Sequence, residues 1–501
     1  MKKPSLAAQL ESLMNPPLVS FHTPGHKQGA LYRRAASAQE PLLPAFLPGL
    51  DTTEIPGTDN LHHPTGILRA AQVRAAHFYG SEESFFLVNG STCGVYAMIL
   101  AAALPGEEIV ISRNAHQSVY HACLLGGITP RYLVPELDPE LGLPMGIDAA
   151  AVEKALKTWP QVKAVVITRP TYHGYAPDLA AIARTAADNG KLLLVDEAHG
   201  AHLRLSERLP ADAMACGADA AVQSTHKTLS AFTQAAMLHV RGNLLDRDRL
   251  RLMLRLFQTS SPSYLLMSSL DAAVRLAQTR GSDMMERLLD NLAELRRQLA
   301  RMSRLQFSGR PSGNVSSQPI DPTRLWIDLH GTGLSGYELN RHLREEWRIG
   351  MELADRRGVL ALTSIGNTRE ELTRLQRALQ TLSEKSPADP GAKIDHQAAA
   401  RQLPELTRHY RDLPPAVLSL QAASHAPREA IPLEEAAGRI CAESLIPYPP
   451  GIPLVVPGEI IRRELIEELK ELAEAGIEMI GIQPPSPESA DATFITVVVN
   501  P

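Results

Sequence analysis

Three short segments of the 501-residue chain place small, acidic or basic residues directly at the ends of apolar runs. The first, residues 89–94 (NGSTCG), could bind an anion, because small residues let backbone N–H groups approach it and a helix N-terminus adds its positive dipole. No Gly-Lys-Ser/Thr follows, so the segment is not a nucleotide-binding phosphate loop. Taken alone, Ser91 and Thr92 at such a turn more often form a simple helix N-cap.

The other two segments supply an acid and a base. Asp196 ends the apolar run 192–195, at the position where α/β proteins bind their ligands. It could bind a metal together with His199 and His202, act as a base, or pair with a cationic ring nitrogen. Lys227 lies in a turn rich in Ser and Thr, and by itself it would more often be an exposed loop lysine.

In combination, the three segments match the requirements of a pyridoxal phosphate site. Such a site needs a cradle for the phosphate, an acid that keeps the pyridine nitrogen protonated, and a lysine that forms a Schiff base. The chain presents an anion cradle, a buried acid and a strand-end lysine in that order.

Alternating strand and helix signals must position these segments. Between residues 65 and 240, short β-branched or Leu-rich runs alternate with helical stretches, which is typical of a parallel α/β sheet. A long helical stretch and a second, smaller α/β pattern follow. We therefore predict an N-terminal arm (1–64), a large cofactor domain (65–300), a small α/β domain (301–385), a linker (386–396) and a C-terminal α+β module (397–501).

Composition excludes several other classes of protein. Hydrophobic residues make up 44% and charged residues 21%, as in ordinary globular proteins. A net charge of −5 gives no electrostatic footprint for nucleic acid or an anionic membrane, and no partner of either kind is expected. The four cysteines are far apart and form no CxxC pair, which argues against structural zinc and suits a reducing compartment. With no signal peptide or membrane span in the sequence, we expect a cytoplasmic protein without a bound metal.

The sequence resembles the Orn/Lys/Arg decarboxylase family of fold-type I pyridoxal phosphate enzymes over nearly its whole length. The resemblance implies a large domain with a mostly parallel seven-stranded sheet, followed by a small domain and a C-terminal module. It rests on residues 21–27 (FHTPGHK), 51–60 (DTTEIPGTDN), 114–118 (NAHQS), 196–200 (DEAHG), 224–228 (STHKT) and 447–453 (PYPPGIP).

The resemblance implies a role for each matching residue. Lys227 would form the Schiff base with pyridoxal 5'-phosphate, Asp196 would pair with the pyridine nitrogen, and His116 would stack on the ring. His226 would lie near the substrate carboxylate, and either it or Lys227 would protonate the α-carbon after CO₂ leaves. The remaining cofactor contacts would come from Ser91, Thr92, Ala198, Ser224 and Ser260.

The family's substrates are basic amino acids, which implies an acidic partner in the protein. Glu459 follows the Pro-rich turn and fits that role, while His199 would flank the reacting carbon. An alternative for Glu459 is the first turn of the following helix, where the helix dipole favours an acid. These residues leave arginine, lysine and ornithine open, with arginine or lysine favoured, so the product would be agmatine, cadaverine or putrescine, as in polyamine metabolism.

The resemblance also implies a homodimer, or a dimer of dimers, with the active site at the subunit interface. Hydroxyls of residues 259–261 would reach the phosphate of the neighbouring subunit. Longer family members carry an N-terminal wing that builds large assemblies, and because the 21–27 motif occurs almost at once, no wing and no decamer are expected here.

Two other functions stay open at this point. An aminotransferase or acyltransferase of the same fold would need an arginine for the α-carboxylate in a late strand, and residues 358–364 contain none. A catalytically silent homologue that binds the cofactor would have no need to retain Lys227, Asp196, His116 and His226 together.

Overall fold

A computed structural model of the chain describes residues 19–21, 59–309, 318–328, 332–385, 413–474, 477–483 and 493–499. The predicted linker lies outside the described residues. So does most of the predicted arm, together with most of the 21–27 and 51–60 motifs. The first described strand, Val19–Ser20 (β1), pairs in parallel with residues 349–350.

A seven-stranded sheet forms the centre of the large domain, with spatial order β2-β8-β7-β6-β5-β3-β4. Its strands are Glu83–Leu87 (β2), Glu108–Ser112 (β3), Thr129–Leu133 (β4), Ala164–Thr168 (β5), Leu192–Asp196 (β6), Ala220–Gln223 (β7) and Ala236–Val240 (β8). Strand β8 pairs antiparallel with both of its neighbours, and the remaining pairs are parallel. This arrangement confirms the predicted mostly parallel, seven-stranded sheet.

Helices connect these strands and cover the sheet. They are Ile67–Tyr79 (α1), Gly90–Ala102 (α2), Gln117–Gly126 (α3), Ala149–Thr158 (α4), Leu179–Asp188 (α5), Ala213–Cys216 (α6) and Thr225–Thr228 (α7). Helix α2 approaches the sheet closely because Gly94 has no side chain; a Cβ there would lie 2.6 Å from Leu87 Cδ1 and 3.1 Å from Val222. The start of α2 is thereby held at the strand ends that carry the site.

Strand β4 and helix α4 were not predicted from the sequence. In β4, Leu133 is the one buried residue, because this strand forms an edge of the sheet and shows no clear apolar alternation. Helix α4 is capped by Asp148, which accepts a hydrogen bond from the Ala151 N–H at 2.7 Å. An edge strand and a partly exposed helix give weak periodic signals.

The long helical stretch predicted over 244–302 is divided in the structure. It forms Arg247–Phe257 (α8), Tyr264–Leu276 (α9) and Ser282–Leu299 (α10), with a π-helical turn at Ala277–Gly281. The first break contains Pro262, and α9 begins at the N-cap Ser263, whose hydroxyl accepts the Leu266 N–H at 3.4 Å.

The small domain is built on a four-stranded sheet of order β12-β13-β10-β9. Its strands and helices are Gln306–Phe307 (β9), Arg324–Asp328 (β10), Gly336–Trp347 (α11), Leu353–Ala354 (β12), Gly358–Leu362 (β13) and Arg369–Lys385 (α12). Strand Ile349–Gly350 (β11) pairs with β1. Antiparallel pairing places Arg324 opposite Leu362, at the end of the sheet that faces the large domain.

The C-terminal module has a three-stranded sheet and a two-stranded ribbon. Its elements are Leu420–His425 (α13), Arg428–Pro432 (β14), Ile446–Tyr448 (β15), Arg463–Glu474 (α14), Glu478–Ile480 (β16), Ile482–Gln483 (β17) and Phe494–Val498 (β18).

The structure contradicts the alternative that Glu459 lies in the first turn of the following helix. Residues 459 and 460 form β-bridges with Ala416 and Ile440, so the chain is extended there and α14 begins only at Arg463. The alternative explanation of Glu459 as a first-turn helix residue is therefore excluded. Within the described part of the chain, no helix combines the length and the apolar character needed to cross a membrane.

Candidate active site

A cavity of about 380 Å³ lies where the ends of several parallel strands meet the C-terminal module. Thr168 and Asp196 line it from the ends of β5 and β6, Lys227 from the short helix after β7, and Ser91 from the start of α2. Tyr448 and the residues after it close another side. Carboxyl ends of parallel strands share one edge of a sheet, which explains why segments far apart in sequence meet here.

Lys227 projects into this cavity from α7, directly after β7. Its Nζ lies 3.1 Å from Nε2 of His199. Burial lowers the pKa of the Lys227 amine, and the positive charge of Arg324 acts in the same direction, whereas Asp196 and Glu352 oppose the shift. A lysine with a lowered pKa is more readily available as a nucleophile.

Asp196 lies at the last position of β6, and its side chain is buried. Its Oδ1 accepts a hydrogen bond from the Ala198 N–H at 3.1 Å. Burial raises the pKa of the carboxyl group, while the charge of Lys227 and the Ala198 N–H oppose that shift. A buried carboxyl group of this kind gains most from a cationic partner, which a protonated ring nitrogen would supply.

The start of α2 has the features of an anion cradle. Asn89 occupies the N-cap but makes no side-chain capping hydrogen bond, so it caps none of the first N–H groups of the helix. The hydroxyl of Ser224 donates to Ser91 Oγ at 2.8 Å, which brings the hydroxyls of two motifs together at this helix end. Thr92 is half-buried beside them. Hydroxyls and N–H groups at a helix N-terminus fit the phosphate of pyridoxal phosphate.

His116 lies on the other side of the cavity as the N-cap of α3. Its Nδ1 accepts the Ser118 N–H at 3.2 Å, and burial lowers the pKa of the imidazole to about 3. The ring is therefore neutral, with its proton on Nε2. Gly451 packs against it so closely that a Cβ there would lie 3.0 Å from Nε2. A flat, uncharged ring at this position suits stacking on a pyridine ring.

His226 and Ala198 also line the cavity. His226 Nδ1 lies 3.0 Å from the carbonyl oxygen of Ala235, which only an N–H can approach at that distance, so this nitrogen is the donor. The five residues Lys227, Asp196, His116, His226 and Ala198 thus surround one space, as their predicted roles require.

Four predicted site residues do not line this cavity: Thr92 and Ser224 lie next to Ser91 at its edge, and Ser260 and Glu459 lie elsewhere. Ser260 is exposed between α8 and α9. Glu459 is buried, and its Oε2 accepts hydrogen bonds from Arg113 at 3.0 Å and from the Val456 N–H at 2.9 Å. The carboxylate of Glu459 is thus committed to an ion pair that joins the C-terminal module to the large domain. The structure gives no support to its expected role in binding substrate.

The residues that the sequence analysis missed are Tyr172, Glu352 and Arg324. Tyr172 and Glu352 line the cavity, and the Tyr172 hydroxyl donates to Glu352 Oε1 at 2.9 Å. Nη2 of Arg324 lies 2.6 Å from Nδ1 of His199, the ring nitrogen that does not contact Lys227. A charged residue that opens the apolar strand 324–328 was a usable signal for Arg324, whereas Glu352 lies among other charged residues and gave none.

A metal site at Asp196, His199 and His202 does not form. His202 Nε2 lies 3.0 Å from Asp321 Oδ2, while His199 contacts Lys227 and Arg324. Throughout the residues described by the structure, no cluster of three or more His, Cys, Asp or Glu side chains could hold a metal ion.

Taken together, the fold and the cavity define a fold-type I pyridoxal phosphate enzyme, and solved structures support this class. The chain is similar to the Francisella novicida lysine decarboxylase LdcF, with a TM-score of 0.76 and 20% identity over 99% of this chain and 84% of that one. The constitutive lysine decarboxylase of E. coli gives a TM-score of 0.74 with 21% identity, covering 99% of this chain and 82% of that chain. At such identities the likeness shows the fold.

Sequence comparison identifies the family. Profiles described as "Orn/Lys/Arg decarboxylase, major domain" and "Orn/Lys/Arg decarboxylase, C-terminal domain" match residues 4–326 and 404–484. An arginine decarboxylase of Halalkalibacterium halodurans is 35% identical over 96% of this chain and 94% of its own length. One from Bacillus subtilis is 34% identical with the same coverage, and the uncharacterized protein YaaO of that species is 38% identical over 90% of this chain and 91% of its own.

The chain therefore belongs to the Orn/Lys/Arg decarboxylase family, whose members are pyridoxal phosphate-dependent carboxy-lyases of basic amino acids. This confirms the predicted family, fold class, cofactor and reaction class. Neither a silent homologue nor an aminotransferase is needed to explain this set of residues.

Proposed function

We propose that the substrate of this enzyme is arginine and that its product is agmatine, a polyamine precursor. The relatives named arginine decarboxylase support this choice, because two of them match over 94% of their own length at 34–35% identity. Relatives named lysine decarboxylase are 25–27% identical, and the match spans 71–76% of their length. Lysine and ornithine are the alternative substrates.

The observation that carries the proposed active site is the meeting of Lys227, Asp196 and Ser91 around one cavity, with Ser224 hydrogen-bonded to Ser91. In the proposal, Ser91, Thr92 and Ser224 hold the phosphate, Asp196 pairs with the pyridine nitrogen, and His116 and Ala198 lie against the ring. When bound there, pyridoxal phosphate would supply an electron-accepting ring for the electron pair that departing CO₂ leaves on the α-carbon.

The protein's own groups then have three tasks. Lys227 would hold the cofactor through its amine, the group that the substrate amine would replace. Asp196 stabilises positive charge on the ring from a site away from water, where such an interaction is strong. His226 or Lys227 delivers a proton to the substrate α-carbon, since both side chains line the cavity.

Glu352 is our choice for the group that receives the cationic end of the substrate. Among the described residues, Asp196 and Glu352 are the carboxylates that line the cavity, and Asp196 is assigned to the cofactor. The hydrogen bond from Tyr172 fixes one oxygen of Glu352. A positioned carboxylate suits a guanidinium, which can donate two parallel hydrogen bonds.

The proposal includes a cytoplasmic enzyme that works as a homodimer or dimer of dimers. The exposure of Ser260 supports the dimer, since only an exposed hydroxyl can reach a neighbouring subunit. Four free cysteines, of which Cys93, Cys123 and Cys441 are buried, suit a reducing compartment.

The test is to incubate the holoenzyme separately with arginine, lysine and ornithine and to identify the amine formed. We expect agmatine from arginine at a kcat/KM at least about tenfold above the other two, which corresponds to one charge-assisted hydrogen bond. Preferential release of cadaverine or putrescine would overturn the substrate assignment. Release of CO₂ from none of the three would overturn basic amino-acid decarboxylation itself.

A further inference from the structure

His199 is held between the side chains of Arg324 and Lys227 in the floor of the active-site cavity. Its Nδ1 lies 2.6 Å from Nη2 of Arg324, and its Nε2 lies 3.1 Å from Nζ of Lys227. The imidazole is buried, and the Arg324 side chain is fully buried behind it. The order Arg324, His199, Lys227 forms a continuous chain of contacts that begins in the small domain and ends at the lysine of the large domain.

The chemistry of these groups determines the direction of each hydrogen bond. A guanidinium has donors and no acceptor, so Nδ1 of His199 must accept from Arg324. The proton of a neutral imidazole then lies on Nε2, which makes Nε2 the donor to Lys227. A nitrogen that accepts this hydrogen bond needs a lone pair, and only the unprotonated form of the Lys227 amine has one.

The surroundings of Arg324 leave its charge only partly compensated. Among the described residues, the nearest carboxylate oxygen, on Asp321, is 3.9 Å from Nε, and it also contacts His202 at 3.0 Å. Nε and Nη1 of Arg324 are buried and have no hydrogen-bond partner in the described part of the chain. The guanidinium is hydrogen-bonded to His199 and acts through space on Lys227, while Asp321, Glu352 and Tyr172 favour its charged form.

A close backbone contact keeps the guanidinium in place. Gly174 has a φ of +97°, and a Cβ on it would lie 2.8 Å from both Cβ and Cγ of Arg324. The loop that carries Tyr172 can thus pack directly on the stem of Arg324. The ring of Tyr172 also contacts His199 edge to face, with centroids 5.1 Å apart.

Other charged and titratable groups surround the pair from each packed element. His199 is influenced by Lys227, Arg324, His116 and His226, and burial together with these groups holds its pKa well below the usual range. Lys227 is influenced by Asp196 and Glu352, which favour the ammonium form, and by Arg324, which opposes it. Arg324 is the cation that offsets the two acids.

We propose that Arg324 is a positioning residue: it fixes His199 as the neutral tautomer with its proton on Nε2, and His199 in turn holds the Lys227 amine unprotonated. This inference rests on the proposed role of Lys227 as the lysine that binds the cofactor. An unprotonated amine carries the lone pair that attacks a carbonyl carbon, so the arrangement prepares the lysine for the cofactor aldehyde.

The test measures the protonation of Lys227 directly, without turnover. The full-length apoenzyme is labelled with trace acetic anhydride between pH 6 and 10, and labelling of Lys227 is compared by mass spectrometry with that of Lys157, whose side chain is 72% exposed. The wild-type labelling profile should show that Lys227 titrates below the ordinary lysine pKa of about 10.4. In Arg324→Met, the apparent pKa of Lys227 should rise by about one unit, so that about tenfold less of the reactive amine is present near neutral pH.

Three further variants make the result specific. Arg324→Gln removes the charge with a smaller change in polarity and should shift Lys227 in the same direction, which keeps the test valid if Arg324→Met does not fold. Arg324→Lys restores a cation and a donor and should return the labelling ratio toward the wild-type value. Arg169→Met removes another buried arginine, which bonds to the carbonyl oxygens of Pro177 and Ala211, and should leave the ratio unchanged.

An unchanged Lys227 ratio in the folded neutral variants would overturn the proposal, and so would an equal shift in Arg169→Met. Because no amino acid is added, the outcome is independent of the substrate assignment. An enzyme that fails to decarboxylate arginine can still show the shift, and an arginine decarboxylase can fail to show it.

Discussion

Two buried arginines make contacts of opposite character in this enzyme. Arg113, at the junction with the C-terminal module, donates to Glu459, to the Tyr120 hydroxyl and to the backbone oxygen of Leu454. Arg324, behind the cavity, meets a histidine and has no carboxylate of the described residues within 3.5 Å. A compensated charge holds two parts of the protein together, whereas an incompletely compensated one can change the protonation of its neighbours.

The sequence alone favoured Glu459 as the substrate ligand because it could not show the contact with Arg113. Its position after the Pro-rich turn matched the family pattern, but a sequence does not show which cation reaches a carboxylate first. Arg113 lies 346 residues away along the chain and occupies Oε2 of Glu459. Glu352, in contrast, lines the cavity where a cationic substrate would be bound, and the Tyr172 hydroxyl donates to its Oε1.

The largest effect is expected from Lys227→Ala. This substitution removes the cavity amine whose protonation Arg324 influences. Decarboxylation should fall by roughly 10⁴-fold or more, because losing a catalytic nucleophile has effects of that order. Radiolabelled CO₂ release gives the rate, and borohydride reduction followed by mass spectrometry locates the cofactor adduct. An adduct on a lysine other than Lys227 in the wild-type enzyme would contradict the assignment.

Arg113→Met should chiefly reduce stability, because it leaves the Glu459 carboxylate buried without its ion-pair partner. The expected loss is about 3–5 kcal/mol in the free energy of unfolding, measured by urea denaturation. The double variant Arg113→Met, Glu459→Gln removes both charges and should recover part of that loss. If the double variant is less stable than Arg113→Met by the full effect of a second independent substitution, the two residues do not act as a pair.

Glu352→Gln should raise KM for the preferred substrate by about 10- to 100-fold, since a hydrogen bond to a charged group contributes about 1.5–3 kcal/mol. Glu459→Gln is the matched control, because it removes the same charge outside the cavity. Steady-state kinetics at one pH provide both values. A larger rise in KM for Glu459→Gln than for Glu352→Gln would return the substrate role to Glu459.

The smallest expected effect is on the free energy of unfolding at acidic pH. The buried histidines His116, in the cavity, and His239, in the core, cause it. Burial lowers the pKa of His116 and of the core residue His239 to about 3. In the unfolded chain each histidine takes up a proton near its ordinary pKa of about 6.5. The unfolded state therefore binds more protons between about pH 6.5 and 3, so stability falls as the pH falls through that window, by about 1.4 kcal/mol per pH unit for each histidine.

Urea denaturation of the wild-type enzyme and of His239→Gln across pH 4.5–7 measures this slope. The slope for the variant should be smaller by about 1.4 kcal/mol per pH unit, because glutamine does not titrate. An identical slope in both proteins would show that His239 takes up its proton as readily in the folded enzyme as in the unfolded chain.

Much of the fold follows from local signals in the sequence. Strands β3 and β6 and helix α11 lie within the bounds that the apolar runs and their caps predict, because each is a buried or capped element with a strong pattern. The edge strand β4 and the helix α4 could not be predicted, because half-exposed elements lack that pattern. The start of α14 is displaced to Arg463 by tertiary β-bridges, which no local window contains.

Cavity residues that end or directly follow a strand could be predicted from the sequence. Residues placed in the cavity by pairing with a neighbouring strand could not. Asp196 and Lys227 end or follow apolar runs, so the topology of a parallel sheet brings them together. Arg324 comes to the site through its antiparallel pairing opposite Leu362, and the strand that contains Leu362 has no arginine of its own. Register across a sheet depends on the folded structure, which explains this omission.

The turn around Gly451, late in the chain, packs against His116 at the start of α3. Its carbonyl oxygen accepts a hydrogen bond from the Gln117 N–H at 2.9 Å, directly beside His116. During synthesis, a ribosome must therefore release the chain as far as Gly451 before the wall of the cavity exists. Cofactor retention by nascent chains of increasing length would then report the emergence of the Gly451 turn, since a ligand bound only by the folded site stabilises only chains that can form it.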